Sequence, residues 1–201
     1  MQIRALSIPG TVEVIPQQHG DSRGVFLESY RADRLEEVIG HRFALSQANL
    51  SVSARGVVRG IHFAAVPPGQ AKYVTCASGR VLDVLVDLRV GSPSYGRWEG
   101  VVLDDVDRHA VYLPEGVGHG FCAMSDSATV TYLCSEPYAP EREHAVNAFD
   151  AELGIEWPTA DVTTSERDAA APSLADARRA GLLPEYAECT AYTEQLRSVE
   201  R

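Results

Sequence analysis

Residues 56–74 read GVVRGIHFAAVPPGQAKYV, and the rest of the chain is organised around them. Val57, Val58 and Ile61 favour a strand, because β-branched side chains pack well on a pleated surface. Pro67-Pro68-Gly69 must break it, since proline has no backbone N–H to give to a ladder. Ala71 to Thr75 then starts a second strand. Two strands joined by a tight connection therefore carry His62 near the end of one and Lys72 at the start of the next. A neutral imidazole beside an ammonium suits removal of a proton next to a carbonyl, with the ammonium stabilising the oxyanion that forms. The plain alternative is a surface hairpin that happens to hold a His and a Lys.

Outward from this stretch the texture is that of short strands. Residues 11–16, 25–30 and 43–53 precede it; residues 81–89, 97–103, 110–114, 117–124 and 129–135 follow. Clusters of Gly, Pro, Asp and Ser separate them, for instance Gly91-Ser92-Pro93 and Glu115-Gly116. About ten short strands at regular spacing predict an all-β fold, a sandwich or barrel of the jelly-roll kind. Within 81–89, Leu82, Val84, Val86 and Leu88 share one face, and Asp83, Asp87 and Arg89 share the other. Arg31 to Ile39 reads as a short helix stopped by Gly40, and Leu174 to Ala180 as another, capped by Ser173 and ended by Gly181. From Tyr138 onward the sequence is loop-like. The expectation is one domain over 1–201, with 159–201 forming a cap of loops and one helix.

Composition sets the bounds. The chain has 201 residues and 45% hydrophobic content, ordinary for one domain with a real core. Its net charge of −10 argues against a nucleic-acid or anionic-membrane partner. Residues 151–201 hold 10 Asp and Glu against 5 Arg, so half of the net charge lies there, as in a solvated acidic tail. Cys76, Cys122, Cys134 and Cys189 form no CxxC pair, and three of them sit in apolar runs where a free thiol behaves as a small core residue. The opening MQIRALSIPG lacks the apolar core of a signal peptide, and no run approaches transmembrane length. Cytoplasmic is the expected compartment.

For chemistry, metal is the first question, because small β-barrels rich in His often bind one. The usual arrangement there needs a close His-x-His pair. His62 is followed by Phe63-Ala64 and His119 by Gly120-Phe121, so no metal is expected. No Walker loop, GxGxxG, GxSxG or HExxH is present. His62, Lys72, His119, Tyr132 and Asp168 remain, and spacing alone does not connect them. Singly, each has a dull reading: His119 as a satisfied core histidine, Tyr132 as core filler, Asp168 as a turn or cap residue.

Taken together, several segments resemble the dTDP-4-dehydrorhamnose 3,5-epimerase family. They are DSRGVFLESY (21–30), QANLSVSARGVVRGIHF (47–63), PPGQAKYV (67–74), VDLRVGSPSYGRW (87–98), YLPEGVGHGF (112–121), TYLCSEPY (131–138) and SERD (165–168). The resemblance covers residues 1–185, and AGLLPEY (180–186) is similar to members acting on deoxysugars of secondary metabolites, including antibiotic sugars. It implies a cupin-type jelly roll acting as a homodimer, with N-terminal strands within 1–40 exchanged between subunits. The implied substrate is a dTDP-4-keto-6-deoxyhexose, epimerised at C3, C5 or both without cofactor or metal. By the same resemblance His62 is the base, backed by Asp168, Lys72 faces the C4 oxygen, and Tyr132 returns a proton from the opposite face. His119 would lie near the sugar, while Arg23, Phe26, Glu28, Gln47, Asn49, Arg59 and Tyr138 would hold nucleotide and diphosphate.

Two other readings stay open at this point. One is a cupin-type ketoisomerase of the same nucleotide sugar, moving the carbonyl between C3 and C4. The other is a sugar-nucleotide binding module, against which the His62–Lys72–Tyr132–Asp168 set argues, since holding a ligand needs neither base nor acid. One geometric question also stays open. Arg59 and His62 are three residues apart and in a regular strand would face opposite ways, unless Gly60 marks a bulge.

Overall fold

The structure is a computed structural model and describes residues 1–199. In chain order its first elements are β1 (Gln2–Ala5), β2 (Val12–Ile15), β3 (Gln18–Asp21), β4 (Gly24–Leu27) and α1 (Ala32–Ile39). Next come β5 (Gln47–Ala54), β6 (Val58–Ala64), β7 (Lys72–Ser78), β8 (Arg80–Asp87) and β9 (Trp98–Asp104). Then follow β10 (Ala110–Leu113), β11 (Val117–Ala123), β12 (Ser127–Cys134) and β13 (Glu143–Ala145). Three helices close the chain: α2 (Glu166–Ala169), α3 (Leu174–Arg179) and α4 (Tyr186–Val199).

A six-stranded sheet, β1-β2-β10-β7-β12-β5, faces a five-stranded one, β13-β6-β11-β8-β9. Every neighbouring pair in both is antiparallel. This is the jelly-roll sandwich expected from the strand spacing. Between the sheets lies a core that includes Ile8, Leu85, Leu103, Leu113, Phe121 and Val130. Burying each large aliphatic there contributes roughly 1.5–3 kcal/mol.

The outer faces are covered in turn. Leu35, Ile39 and Phe43, on and just after α1, pack on Val12, Val14, Tyr73 and Tyr112 of the larger sheet. Gly40 ends α1 at φ 82°, a left-handed value that glycine adopts without penalty, and its N–H closes on the Glu36 carbonyl. Val146, Leu153, Leu174 and Leu183 cover Val58, Ile61, Val84 and Val86 of the smaller sheet. So β8 is buried on both faces. Asp83 and Asp87 are 0% exposed, and Asp87 is held by Arg89, Ser92 and Ser94.

Two expectations need correction. The strands flanking Pro67-Pro68-Gly69 are consecutive but form no hairpin: β6 belongs to the smaller sheet and β7 to the larger. A turn rich in proline cannot continue the ladder, so it serves as a corner between layers. The acidic C-terminus is also more ordered than a solvated tail. In α4 the Cys189 side chain is 3% exposed, and the Arg197 guanidinium donates to the Ile39 carbonyl at 2.9 and 3.2 Å. The C-terminal segment thus carries three helices where one was expected. No helix among the described residues is long and apolar enough to cross a membrane.

The Pro-Pro-Gly corner packs against Glu115, in the turn between β10 and β11: a Cβ on Gly69 would lie 2.7 Å from the Glu115 Cβ. Glu115 is 4% exposed, and its Oε2 has no hydrogen-bond partner among the described residues. Burial pushes its pKa up to about 7. Below the ordinary glutamate range both folded and unfolded chains hold the proton. As pH rises toward 7 only the unfolded chain releases it, so stability falls, and above 7 the loss is constant. Glu115→Gln is therefore expected to raise stability above pH ~7 by on the order of 3 kcal/mol, and to change it little at pH ~4. Urea melts of both proteins across that range check this.

Candidate active site

The site is built on a fault in β6. In the β6–β11 ladder His119 stands opposite His62, while Phe121 stands opposite Arg59. Three steps on β6 thus match two on β11, which is a bulge. Gly60 sits in it at φ 121°. A Cβ there would lie 2.6 Å from the Gly120 Cα and 2.7 Å from the His119 carbonyl oxygen, so no side chain fits. The bulge shifts the phase of the strand, and Arg59 and His62 both line one cavity. Val58, Ile61 and Phe63 pack into the opposite face. That answers the geometric question left by the sequence.

His62 Nε2 lies 2.7 Å from Asp168 Oδ1. Asp168 comes from α2, more than a hundred residues later, and is 7% exposed. Ser165 caps that helix by accepting from the Asp168 N–H at 3.0 Å, and Asp168 Oδ2 accepts weakly from the Gly60 N–H at 3.4 Å. Burial alone would push the Asp168 pKa up, but the His62 hydrogen bond and charge, with the backbone N–H, outweigh it and hold it below the usual value. An ionised carboxylate can only accept. It therefore accepts a hydrogen bond from Nε2–H and leaves Nδ1 of His62 with the lone pair. Deeper in the same sheet His119 Nε2 lies 2.8 Å from Asp83 Oδ2.

The larger sheet supplies the facing wall. β7 starts with Lys72, which is 7% exposed, and burial lowers its pKa. It is the only lysine in the sequence. On β12, alternation turns Tyr132 inward beside it. Burial, with the nearby Cys134, raises the Tyr132 pKa, so the phenol keeps its proton at neutral pH. Gln47 and Asn49 of β5 and Tyr138 complete this wall. The cavity volume is about 300 Å³.

Three expected residues lie elsewhere. Arg23, Phe26 and Glu28 sit on or beside the β3–β4 ribbon, which pairs with neither large sheet. Phe26 is 69% exposed; Arg23 pairs with Asp21, and Glu28 with Arg31 at 3.2 Å. Conversely the cavity holds Gln70, Phe121, Glu143, His144, Ser165 and Arg167, which were not singled out from the sequence. Gln70, Ser165 and Arg167 lie inside the quoted segments PPGQAKYV and SERD, so their neighbours pointed to them. Glu143 and His144 occupy β13, a three-residue strand in a region read as loop, and carried no signal.

Residues 5–176 match the family profile of dTDP-4-dehydrorhamnose 3,5-epimerase. The chain belongs to the dTDP-4-dehydrorhamnose 3,5-epimerase family. A Mycolicibacterium smegmatis dTDP-4-dehydrorhamnose 3,5-epimerase is 56% identical over 198 residues, covering 98% of each chain. The crystal structure of NovW, a 4-keto-6-deoxy sugar epimerase from the novobiocin biosynthetic gene cluster of Streptomyces spheroides, is 62% identical with a TM-score of 0.93, covering 94% of this chain and 95% of that one. ChmJ, a 3'-monoepimerase from Streptomyces bikiniensis solved with dTDP-quinovose, is 47% identical with a TM-score of 0.92, covering 96% and 98%. Both the family and the cupin jelly roll implied by the quoted segments are thereby established for this chain. Epimerases are isomerases, and the chain is one by membership.

The His62–Asp168 pair also ties α2 to the barrel. Asp168→Asn is expected to lower stability by roughly 1.5–3 kcal/mol at neutral pH, the range for a hydrogen bond to a charged group. Because the folded pKa of Asp168 is depressed, this contribution is present above pH ~4 and fades as the pH falls below it. Melts of both proteins between neutral and acid pH measure the difference directly.

Proposed function

We propose that the chain epimerises a dTDP-4-keto-6-deoxyhexose at C3, at C5 or at both, using its own side chains. The observation that carries this reading is the opposition of His62 and Tyr132, on different sheets across one cavity, with Lys72 on the strand next to that of Tyr132. C3 and C5 flank the C4 ketone, so either proton leaves as the ketone becomes an enolate. His62 takes the proton at the nitrogen left free by Asp168, which then stabilises the imidazolium. Lys72 stabilises the oxyanion; the charge it meets appears only as the proton leaves, so the interaction lowers the barrier instead of merely tightening binding. Tyr132, kept protonated by burial, delivers a proton to the other face and inverts the centre. The same four groups serve either carbon, and the pose of the sugar selects between them.

Arg59 would bind the diphosphate, its guanidinium fork taking two oxygens at once, with Gln47, Asn49 and Tyr138 alongside and His119 near the sugar. Arg23, Phe26 and Glu28 fit this scheme in a homodimer, where the β3–β4 ribbon of one subunit completes the site of the other. Support comes from the exposed apolar surface on the larger sheet: Leu50 and Val52 of β5 are 64% and 59% exposed, a pattern typical of an interface.

Incubation with dTDP-4-keto-6-deoxyglucose in D2O tests the reading. Deuterium is expected at C3, C5 or both, with inversion at the labelled carbon. Absence of exchange at both carbons rejects it, and a product whose carbonyl has moved to C3 indicates a ketoisomerase. His62→Ala is expected to lower exchange by at least about 10²-fold, the scale of a lost general base, with dTDP affinity within about threefold of wild type.

A further inference from the structure

Cys134 lies behind the cavity wall and takes no part in the scheme above. It is 0% exposed on the inner face of β12, next after Tyr132 in the alternation. In the ladders it stands opposite Lys72 of β7 on one side and opposite Gln47 of β5 on the other. The thiol thus sits between two residues that line the cavity.

Its sulfur ends a chain of hydrogen bonds. The Tyr138 N–H donates to Gln47 Oε1 at 2.8 Å, and Gln47 Nε2 donates to Asn49 Oδ1 at 2.8 Å. Asn49 Nδ2 then donates to Cys134 Sγ at 3.6 Å, within the range for a sulfur acceptor. All three bonds run in one direction. A primary amide offers an oxygen on one side and a nitrogen on the other, so each link allows only one of its two flipped orientations. The Tyr138 N–H, which can only donate, sets the direction at one end, and the Cys134 sulfur, by accepting at the other, anchors the Asn49 amide in the orientation that direction requires.

We propose that Cys134 is a positioning residue for the nucleotide sugar, its sulfur anchoring the far side of the Asn49 amide so that Asn49, and Gln47 bonded to it, hold their places in the cavity wall. This rests on the function proposed above. Burial raises the thiol's pKa more than Lys72 and Asn49 lower it, so the sulfur stays uncharged at neutral pH. The neutral thiol sets no charge against Lys72, so the role of Cys134 falls on binding and not on proton transfer.

The test uses the full chain with Cys134→Ala, Cys134→Val and Cys134→Ser, assayed on dTDP-4-keto-6-deoxyglucose and titrated with dTDP. Loss of one neutral hydrogen bond is expected to raise KM and the dTDP Kd about three- to tenfold in the Ala and Val variants, with kcat within about twofold. Val fills the volume of the thiol, so it separates the lost acceptor from a cavity. Ser, which restores an acceptor, is expected to recover most of the affinity, and the recovery is expected to vanish when Asn49→Ala is added. Unchanged KM in Ala and Val, a Ser variant no better than Ala, a Ser rescue that survives Asn49→Ala, or a loss falling on kcat overturns the role. Absence of turnover in the wild type would instead reject the proposed function, while wild-type turnover with unaltered variants rejects the role of Cys134 alone.

Discussion

The approach of Gly60 to Gly120 is the constraint on which the site depends. Two strand backbones meet so closely that neither residue has room for a Cβ, and the extra residue this admits on β6 rotates the strand by half a period. Without it Arg59 and His62 would point to opposite sides of the sheet. With it the cation proposed for the diphosphate and the base proposed for the sugar share one cavity. Downstream of the bulge, Ile61 and Phe63 still reach the outer core, so the fault costs little packing.

The second constraint is burial. Asp168, Lys72 and Tyr132 all lie where water is largely excluded, and each responds differently. The carboxylate is held ionised by His62, the ammonium is made a stronger acid, and the phenol is made a weaker one. These directions agree with the proposed tasks: orient a base, meet a developing negative charge, and retain a proton until it is wanted. His62 and Tyr132 lie on different sheets, which in the proposed scheme puts removal and return of the proton on opposite sides of a bound sugar.

Much of this was legible in the sequence, for identifiable reasons. The alternation in 81–89, the Gly40 and Ser173 helix signals and the regular turn spacing are local, and they gave ten of the thirteen strands and two helices to within a few residues, with β1 and β3 left unread. Sheet membership is not local: nothing in PPGQ says that the chain crosses between layers instead of folding back. His62 and Asp168 lie more than a hundred residues apart, so their contact was expected only through resemblance to a family. Weak elements escaped altogether. β13 is three residues long, and α4 mixes Glu, Thr and Tyr without a strong apolar stripe, though Cys189 and Arg197 anchor it.

The central claim is that a proton leaves toward His62 and returns from Tyr132. It is tested most directly by following Tyr132→Phe with dTDP-4-keto-6-deoxyglucose in D2O by NMR. With the base intact and the opposite donor removed, the α-hydrogens are expected to exchange for deuterium with retained configuration while the epimer fails to accumulate. Loss of exchange together with epimerisation, or epimerisation at the wild-type rate, would contradict the account.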